Sequence, residues 1–224
     1  VLSFLRGAYG RALTPLARFL LRIGLSPTAV TFAGTLGVVL AALWFLPRGE
    51  WIAGFVVVGV FLLADGLDGT MARAGGRQTR FGAFIDSTMD RIADGAVFAA
   101  LAVWAAGRDV ATLWCALAAL VLGFVVSYAR ARAEAEGWDA SVGIFERADR
   151  LVVAGVAAVA VDLGAPLWVL TLALGVVAAG SAVTVAQRVA AAWAAAAASA
   201  PRRHPGTTRR RTRGSDSLSG PIAE

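Results

Sequence analysis

Apolar runs recur along the chain at Val30–Leu46, Trp51–Ala64, Val110–Val126, Leu151–Leu163 and Leu167–Val185, separated by short polar or Gly/Pro-containing connections. Several approach or exceed the roughly 18 residues that an α-helix needs to cross a bilayer. With the mixed segment between the second and third runs, the pattern predicts six helices over about 28–46, 51–74, 80–106, 110–136, 147–163 and 166–195. The first 25 residues read differently. Arg6, Arg11, Arg18 and Arg22 interrupt them at helical spacing, and Gly10 and Pro15 break them, which predicts an amphipathic helix on the membrane surface rather than a signal peptide. Residues 200–224 are rich in Arg, Ser, Thr, Pro and Gly, cannot bury a core, and are predicted to be disordered. The expected fold is an all-α integral membrane protein with six transmembrane helices preceded by an N-terminal amphipathic surface helix. It divides into a juxtamembrane segment 1–25, a six-helix domain 26–199 and a basic tail 200–224.

Composition agrees with the pattern. Of 224 residues, 58% are hydrophobic and the mean hydropathy is +0.70, too apolar for a soluble domain of this length. The net charge of +6 comes from 21 arginines and no lysine. They fall between apolar spans, with no basic stripe carrying interleaved aromatics, so nucleic-acid binding is not expected. Six spans put both termini on one side. Placing that side in the cytoplasm leaves only Arg48 and Arg108 outside, the orientation that the positive-inside rule selects. Trp44, Trp51, Trp104, Trp114 and Trp168 then fall near the outer ends and are expected as interfacial anchors. The single Cys115 excludes an intrachain disulfide, and His204 lies in the tail, away from any site.

The chemistry is concentrated in Leu62–Gly95, which places Asp65, Asp68, Asp86, Asp90 and Asp94 at or near membrane depth. An isolated charge there costs roughly 2.5–3.5 kcal/mol on insertion scales, so these groups need compensation. On helices, Asp65 and Asp68 are i and i+3, and Asp86 and Asp90 are i and i+4, so each pair shares one face. The short Gly75–Arg80 connection suggests antiparallel neighbours whose carboxylates converge as a hard-oxygen site for Mg²⁺ or Mn²⁺. Gly66, Gly69 and Gly82 leave room for a phosphate, which Arg73 can complement. Asp94 is one turn further on. Its expected role is pairing with a neighbouring helix or around Arg91, rather than metal binding.

Asp65, Asp68, Gly69, Ala72 and Arg73, followed after eight residues by Gly82, Asp86 and Asp90, satisfy D-x-x-D-G-x-x-A-R … G-x-x-x-D-x-x-x-D without departure. That signature resembles the CDP-alcohol phosphatidyltransferases. The resemblance implies that Asp65, Asp68 and Asp86, with Asp90 also near a metal, hold two Mg²⁺ ions, Mn²⁺ being the alternative. It further implies that Thr31, Gly69, Ala72, Arg73 and Gly82 seat the CDP group of CDP-diacylglycerol, that Asp90 is the general base, and that the enzyme is a homodimer in the cell membrane with a cytoplasmic active site. The motif S-Y-x-R-A-R-A-E-A-x-G, followed by G-x-x-E-R-x-x-R, is similar to that of actinobacterial phosphatidylinositol-phosphate synthases. By that likeness the acceptor is inositol 1-phosphate, bound by Arg130, Arg132, Arg150 and Arg188, with Tyr128 and Glu134 as secondary candidates. Glycerol 3-phosphate, the acceptor of phosphatidylglycerophosphate synthases, is the competing reading. A divalent-cation transporter is the alternative of another class, but it predicts carboxylates spread through the bilayer, whereas these cluster toward one face.

Overall fold

The computed structural model describes residues 13–75 and 79–199, apart from the side chains of residues 64, 65, 68, 74 and 199. The expectations for residues 1–12 and for the tail, including His204, lie outside the described residues. Helix α1 covers residues 13–22. Six longer helices follow: α2 Pro27–Phe45, α3 Trp51–Ala74, α4 Arg80–Ala105, α5 Val110–Ala135, α6 Arg147–Asp162 and α7 Trp168–Ser199. These match the six predicted segments closely.

Local chemistry sets the boundaries. Ser26 and Thr79 accept hydrogen bonds from Ala29 N–H (3.1 Å) and Gly82 N–H (2.9 Å), capping α2 and α4, while Asp109 accepts from Thr112 N–H (2.6 Å) at the start of α5. The bond to Thr112 holds the Asp109 carboxyl below its ordinary range. At the opposite end of α6, Asp162 accepts from Ile52 N–H (2.9 Å), satisfying an orphan donor of α3.

Packing runs α3–α2–α4–α5–α7–α6 and returns to α3, enclosing an apolar core that includes Val38, Val97, Phe98, Leu101, Leu170 and Leu174. Fully buried alanines such as Ala100, Ala116, Ala119 and Ala158 let the backbones approach, as is usual between helices in lipid. One sequence expectation is corrected here. The short connection suggested that α3 and α4 pack on each other, yet α2 packs on both, and α3 and α4 share no comparable interface among the described residues. Gly37 of α2 makes this possible, because Phe61 of α3 lies where a Cβ at that position would stand.

Helices α2 (with the turn to Arg48), α5 and α7 are each long and apolar enough to cross a membrane. The other three fall short of that criterion for a shared reason. Only Trp51–Leu63 of α3 is continuously apolar, α4 carries Asp86, Asp90, Arg91 and Asp94, and α6 is 16 residues long and begins with Arg147, Asp149 and Arg150. The chain is therefore a helical membrane protein in which polar residues break the apolar pattern of three of the six longer helices. Large apolar side chains such as Leu36, Leu40, Val56 and Val60 face outward, as a lipid-embedded bundle requires.

Trp51 departs from the expected anchor role. It is 3% exposed, packs edge-on against Trp104 with centroids 4.6 Å apart, and donates its indole N–H to Leu46 O at 3.2 Å. Trp44, Trp114 and Trp168 are exposed, as anchors would be. Helix α1 buries Ala17 against Leu67 and Met71 of α3 and leaves Leu16 and Phe19 outward, beside the exposed Arg18 and Arg22.

Candidate active site

The acidic motif occupies the C-terminal half of α3 and the N-terminal half of α4. Because consecutive helices alternate in direction, the beginnings of α2 and α6 and the ends of α5 and α7 lie at this same end of the bundle. Asp65 and Asp68 are on α3, one turn apart; their side chains lie outside the described part. Asp86 and Asp90 are one turn apart on α4 and half-buried. No three potential metal-ligating side chains gather among the described residues, which do not include those of Asp65 and Asp68. Carboxylates on adjoining helix halves, with Cys115 removed to the apolar part of α5, suit a hard divalent cation better than a thiolate- or imidazole-seeking one.

The residues expected to seat the CDP group also lie at this end. Thr31 is buried in the first turns of α2, its hydroxyl donating to Pro27 O at 3.2 Å. The exposed Arg73 folds back along α3 beside Gly69, its Nη2 donating to Thr70 Oγ1 at 3.1 Å; a Cβ at Gly69 would make only an ordinary contact with the guanidinium, at 3.5 Å. Ala72 is half-buried beside it. The Gly82 N–H serves the Thr79 cap, and a Cβ at Gly82 would stand 3.1 Å from the same hydroxyl, so this glycine has a local packing role as well.

Facing the carboxylates is a group of arginines. Arg147 is at the start of α6. Its Nη1 is 2.7 Å from Asp90 Oδ1, and its Nε donates to Asp94 Oδ1 at 2.8 Å. Arg150, one turn on and 2% exposed, reaches Asp94 Oδ2 at 3.4 Å. Arg91 lies 3.6 Å from Asp90 and 3.9 Å from Asp94 and donates to the Ser127 hydroxyl. Asp94 is thus the shared counter-ion of three cations, the pairing role expected for it.

Arg188 of α7 is nearly buried and donates to Val142 O at 2.9 Å and to Val126 O at 2.6 Å. Of the four arginines expected to bind the acceptor, Arg150 and Arg188 are thus buried at this end of the bundle, the first against Asp94 and the second against main-chain carbonyls. Arg132 pairs with Glu136 on the exposed end of α5, where Arg130 also pairs with Glu134 at 2.7 Å. Tyr128 is 69% exposed. In the connection to α6, Asp139 accepts from the Ser141 hydroxyl (2.6 Å) and N–H (2.9 Å), which hold its carboxyl below the usual range. That turn is intact above the ordinary carboxylate pKa of about 3.9 and weakens only as pH falls through the depressed value. Arg147 belongs to the G-x-x-E-R-x-x-R motif, but sequence reasoning gave it no role of its own at the site. Its signal was its i, i+3 spacing with Arg150, which puts both on one face of α6.

Residues 25–177, more than half of the chain, match the family described as CDP-alcohol phosphatidyltransferase. The chain belongs to this family and is an enzyme of that class. It is 47% identical over 195 residues to the phosphatidylinositol phosphate synthase of Streptomyces avermitilis, covering 84% of this chain and 80% of that one. It is 50% identical over 192 residues to the synthase of the same name from Mycolicibacterium smegmatis, covering 82% and 85% respectively. The crystal structure of the Mycobacterium tuberculosis phosphatidylinositol phosphate synthase with CDP-DAG bound superposes with a TM-score of 0.79 at 43% identity, covering 82% of this chain and 94% of that one. The structure of the same enzyme with manganese and citrate superposes with a TM-score of 0.80 at 41% identity, over 89% and 98%.

Proposed function

We propose that the enzyme transfers the phosphatidyl group of CDP-diacylglycerol to inositol 1-phosphate, releasing CMP, and works in the cell membrane as a homodimer with six spans and both termini in the cytoplasm. The observation that carries the acceptor is the 47–50% identity to two enzymes named for that product over more than four-fifths of this chain. The arginine group beside the acidic helix supports it, because a phosphorylated acceptor needs fixed positive charge that a neutral alcohol does not.

In this reading Asp65, Asp68, Asp86 and Asp90 hold the metal ions, and Thr31, Gly69, Ala72, Arg73 and Gly82 seat the CDP moiety. Divalent cations at the carboxylates would supply charge neutralisation of the pyrophosphate and of the departing CMP. The acceptor phosphate is drawn toward Arg130, Arg150 and Arg188; Arg132, the fourth candidate, is two residues from Arg130 on α5 and projects from another side of that helix. That brings the acceptor hydroxyl to Asp90, which takes its proton as the oxygen forms a bond to the phosphatidyl phosphorus and the bond to CMP breaks. Helices α3, α4 and α6 complete the six spans, their polar ends forming the cytoplasmic site and helix α1 lying along the surface beside it.

The test is metal-dependent CMP release by purified protein with inositol 1-phosphate, free inositol, glycerol 3-phosphate or L-serine as acceptor. Release is expected with inositol 1-phosphate, to vanish on chelation and to return with Mg²⁺ or Mn²⁺. Release driven by glycerol 3-phosphate instead would move the protein to the phosphatidylglycerophosphate synthases.

A further inference from the structure

Residues 137–146 join α5 to α6 without a helix or strand of their own, and ordering such a segment costs conformational entropy that must be offset elsewhere. Helix α7 supplies the partners. Gly180, Thr184, Gln187 and Arg188 are spaced i, i+4, i+7 and i+8 and share one face. Arg188 donates to Val142 O, Gln187 Oε1 accepts from Ile144 N–H at 3.2 Å, and Thr184 Oγ1 accepts from Phe145 N–H at 3.1 Å while its own hydroxyl donates to Gly180 O at 2.9 Å.

Packing is equally close. The Thr184 methyl lies where a Cβ on Gly143 would stand, and Gly143 has φ +151, while a Cβ on Gly180 would come within 2.7 Å of the Phe145 ring. Immediately after this strap, Glu146 donates its N–H to Asp149 Oδ2 at 2.8 Å, α6 begins, and Arg147 extends to Asp90 and Asp94.

We infer that the strap's attachment to α7 sets the position of Arg147 against Asp90, which makes Thr184 and Arg147 positioning residues for phosphatidyl transfer. Thr184 touches no reacting group; it acts two residues upstream of the helix that carries Arg147. Arg147 in turn holds Asp90 Oδ1 at 2.7 Å, and Arg91 lies 3.6 Å from Oδ2, so the orientation of the carboxylate follows the position of Arg147. The inference rests on the proposed role of Asp90 but not on the identity of the acceptor.

The test is a double-mutant cycle between Thr184→Val and Arg147→Gln, with turnover measured using whichever acceptor drives CMP release in the parent enzyme. Thr184→Val keeps the side-chain shape but removes the acceptor for Phe145 N–H. It is expected to lower kcat about tenfold while KM for CDP-diacylglycerol stays within about twofold, and Thr184→Ser is expected to restore most of the loss. In the Arg147→Gln background the Thr184 substitution is expected to cost less than about twofold, because the group through which it acts is gone. Hydrogen exchange at residues 142–147, which needs no turnover, is expected to accelerate in Thr184→Val and not in Thr184→Ser. Equal losses in the two backgrounds, or a serine variant no better than valine, would overturn the inference. Unchanged exchange in the strap would do the same. A wrong acceptor assignment would leave the cycle readable, since it uses the acceptor that works.

Discussion

Asp90→Asn is expected to lower kcat for CMP release by roughly 10²–10⁴-fold, the range that a positioned general base contributes. The amide is nearly isosteric, and Asp90 is half-buried on the face of α4 that also carries Asp86, so the helix has no packing reason to change. What is lost is the charge that pairs with Arg147 at 2.7 Å and the lone pair that takes the acceptor's proton. Single-turnover measurement separates the two consequences. Loss of the base slows chemistry at saturating CDP-diacylglycerol, whereas loss of a metal ligand alone is relieved by raising the Mg²⁺ concentration. A variant retaining more than a tenth of the parent turnover would remove Asp90 from the role of base.

The second large effect is on stability. Asp94→Asn is expected to cost roughly 3–5 kcal/mol, as when one partner of a buried ion pair is removed and the other is left uncompensated. Three guanidinium groups converge on this carboxylate, from Arg147 at 2.8 Å, Arg150 at 3.4 Å and Arg91 at 3.9 Å, and Arg150 is 2% exposed. Asparagine leaves those cations facing one another. Thermal unfolding in detergent measures the loss, and Asp94→Leu combined with Arg150→Leu is expected to recover part of it, since both sides of the buried pair are then apolar. An Asp94→Asn protein as stable as its parent would mean that the arginines find compensation elsewhere.

Much of this architecture was legible because a bilayer forces apolar periodicity onto the chain. Each predicted segment coincides with one helix, and the Asp65–Asp90 signature is spacing alone. What escaped depends on partners far apart in sequence. Nothing local marks α2 as the helix between α3 and α4; the information is the Gly37–Phe61 contact. Trp51 looks like any interfacial tryptophan until its 4.6 Å contact with Trp104 removes it from lipid. Hydropathy cannot tell Arg147 or Arg188 from a topology-setting charge; the resemblance assigned Arg188 to the acceptor, yet Arg147 holds a carboxylate on α4 and Arg188 two main-chain carbonyls. Hydropathy counts such residues but is silent on whether they meet water, an anion or a peptide group.

The short apolar length of α3 bears on the enzyme's relation to its lipid surroundings. Trp51–Leu63 provides about 20 Å of apolar helix, against roughly 30 Å of hydrocarbon in an ordinary bilayer. If α3 crosses the membrane as proposed, the leaflet beside its polar half is expected to thin to meet it. A donor lipid bound as proposed would then carry its headgroup to the depth of Asp65 and Asp68 while its acyl chains stay among their neighbours. The catalyst would shape the medium that delivers its substrate, and its turnover is expected to respond to the chain length of lipids it never transforms.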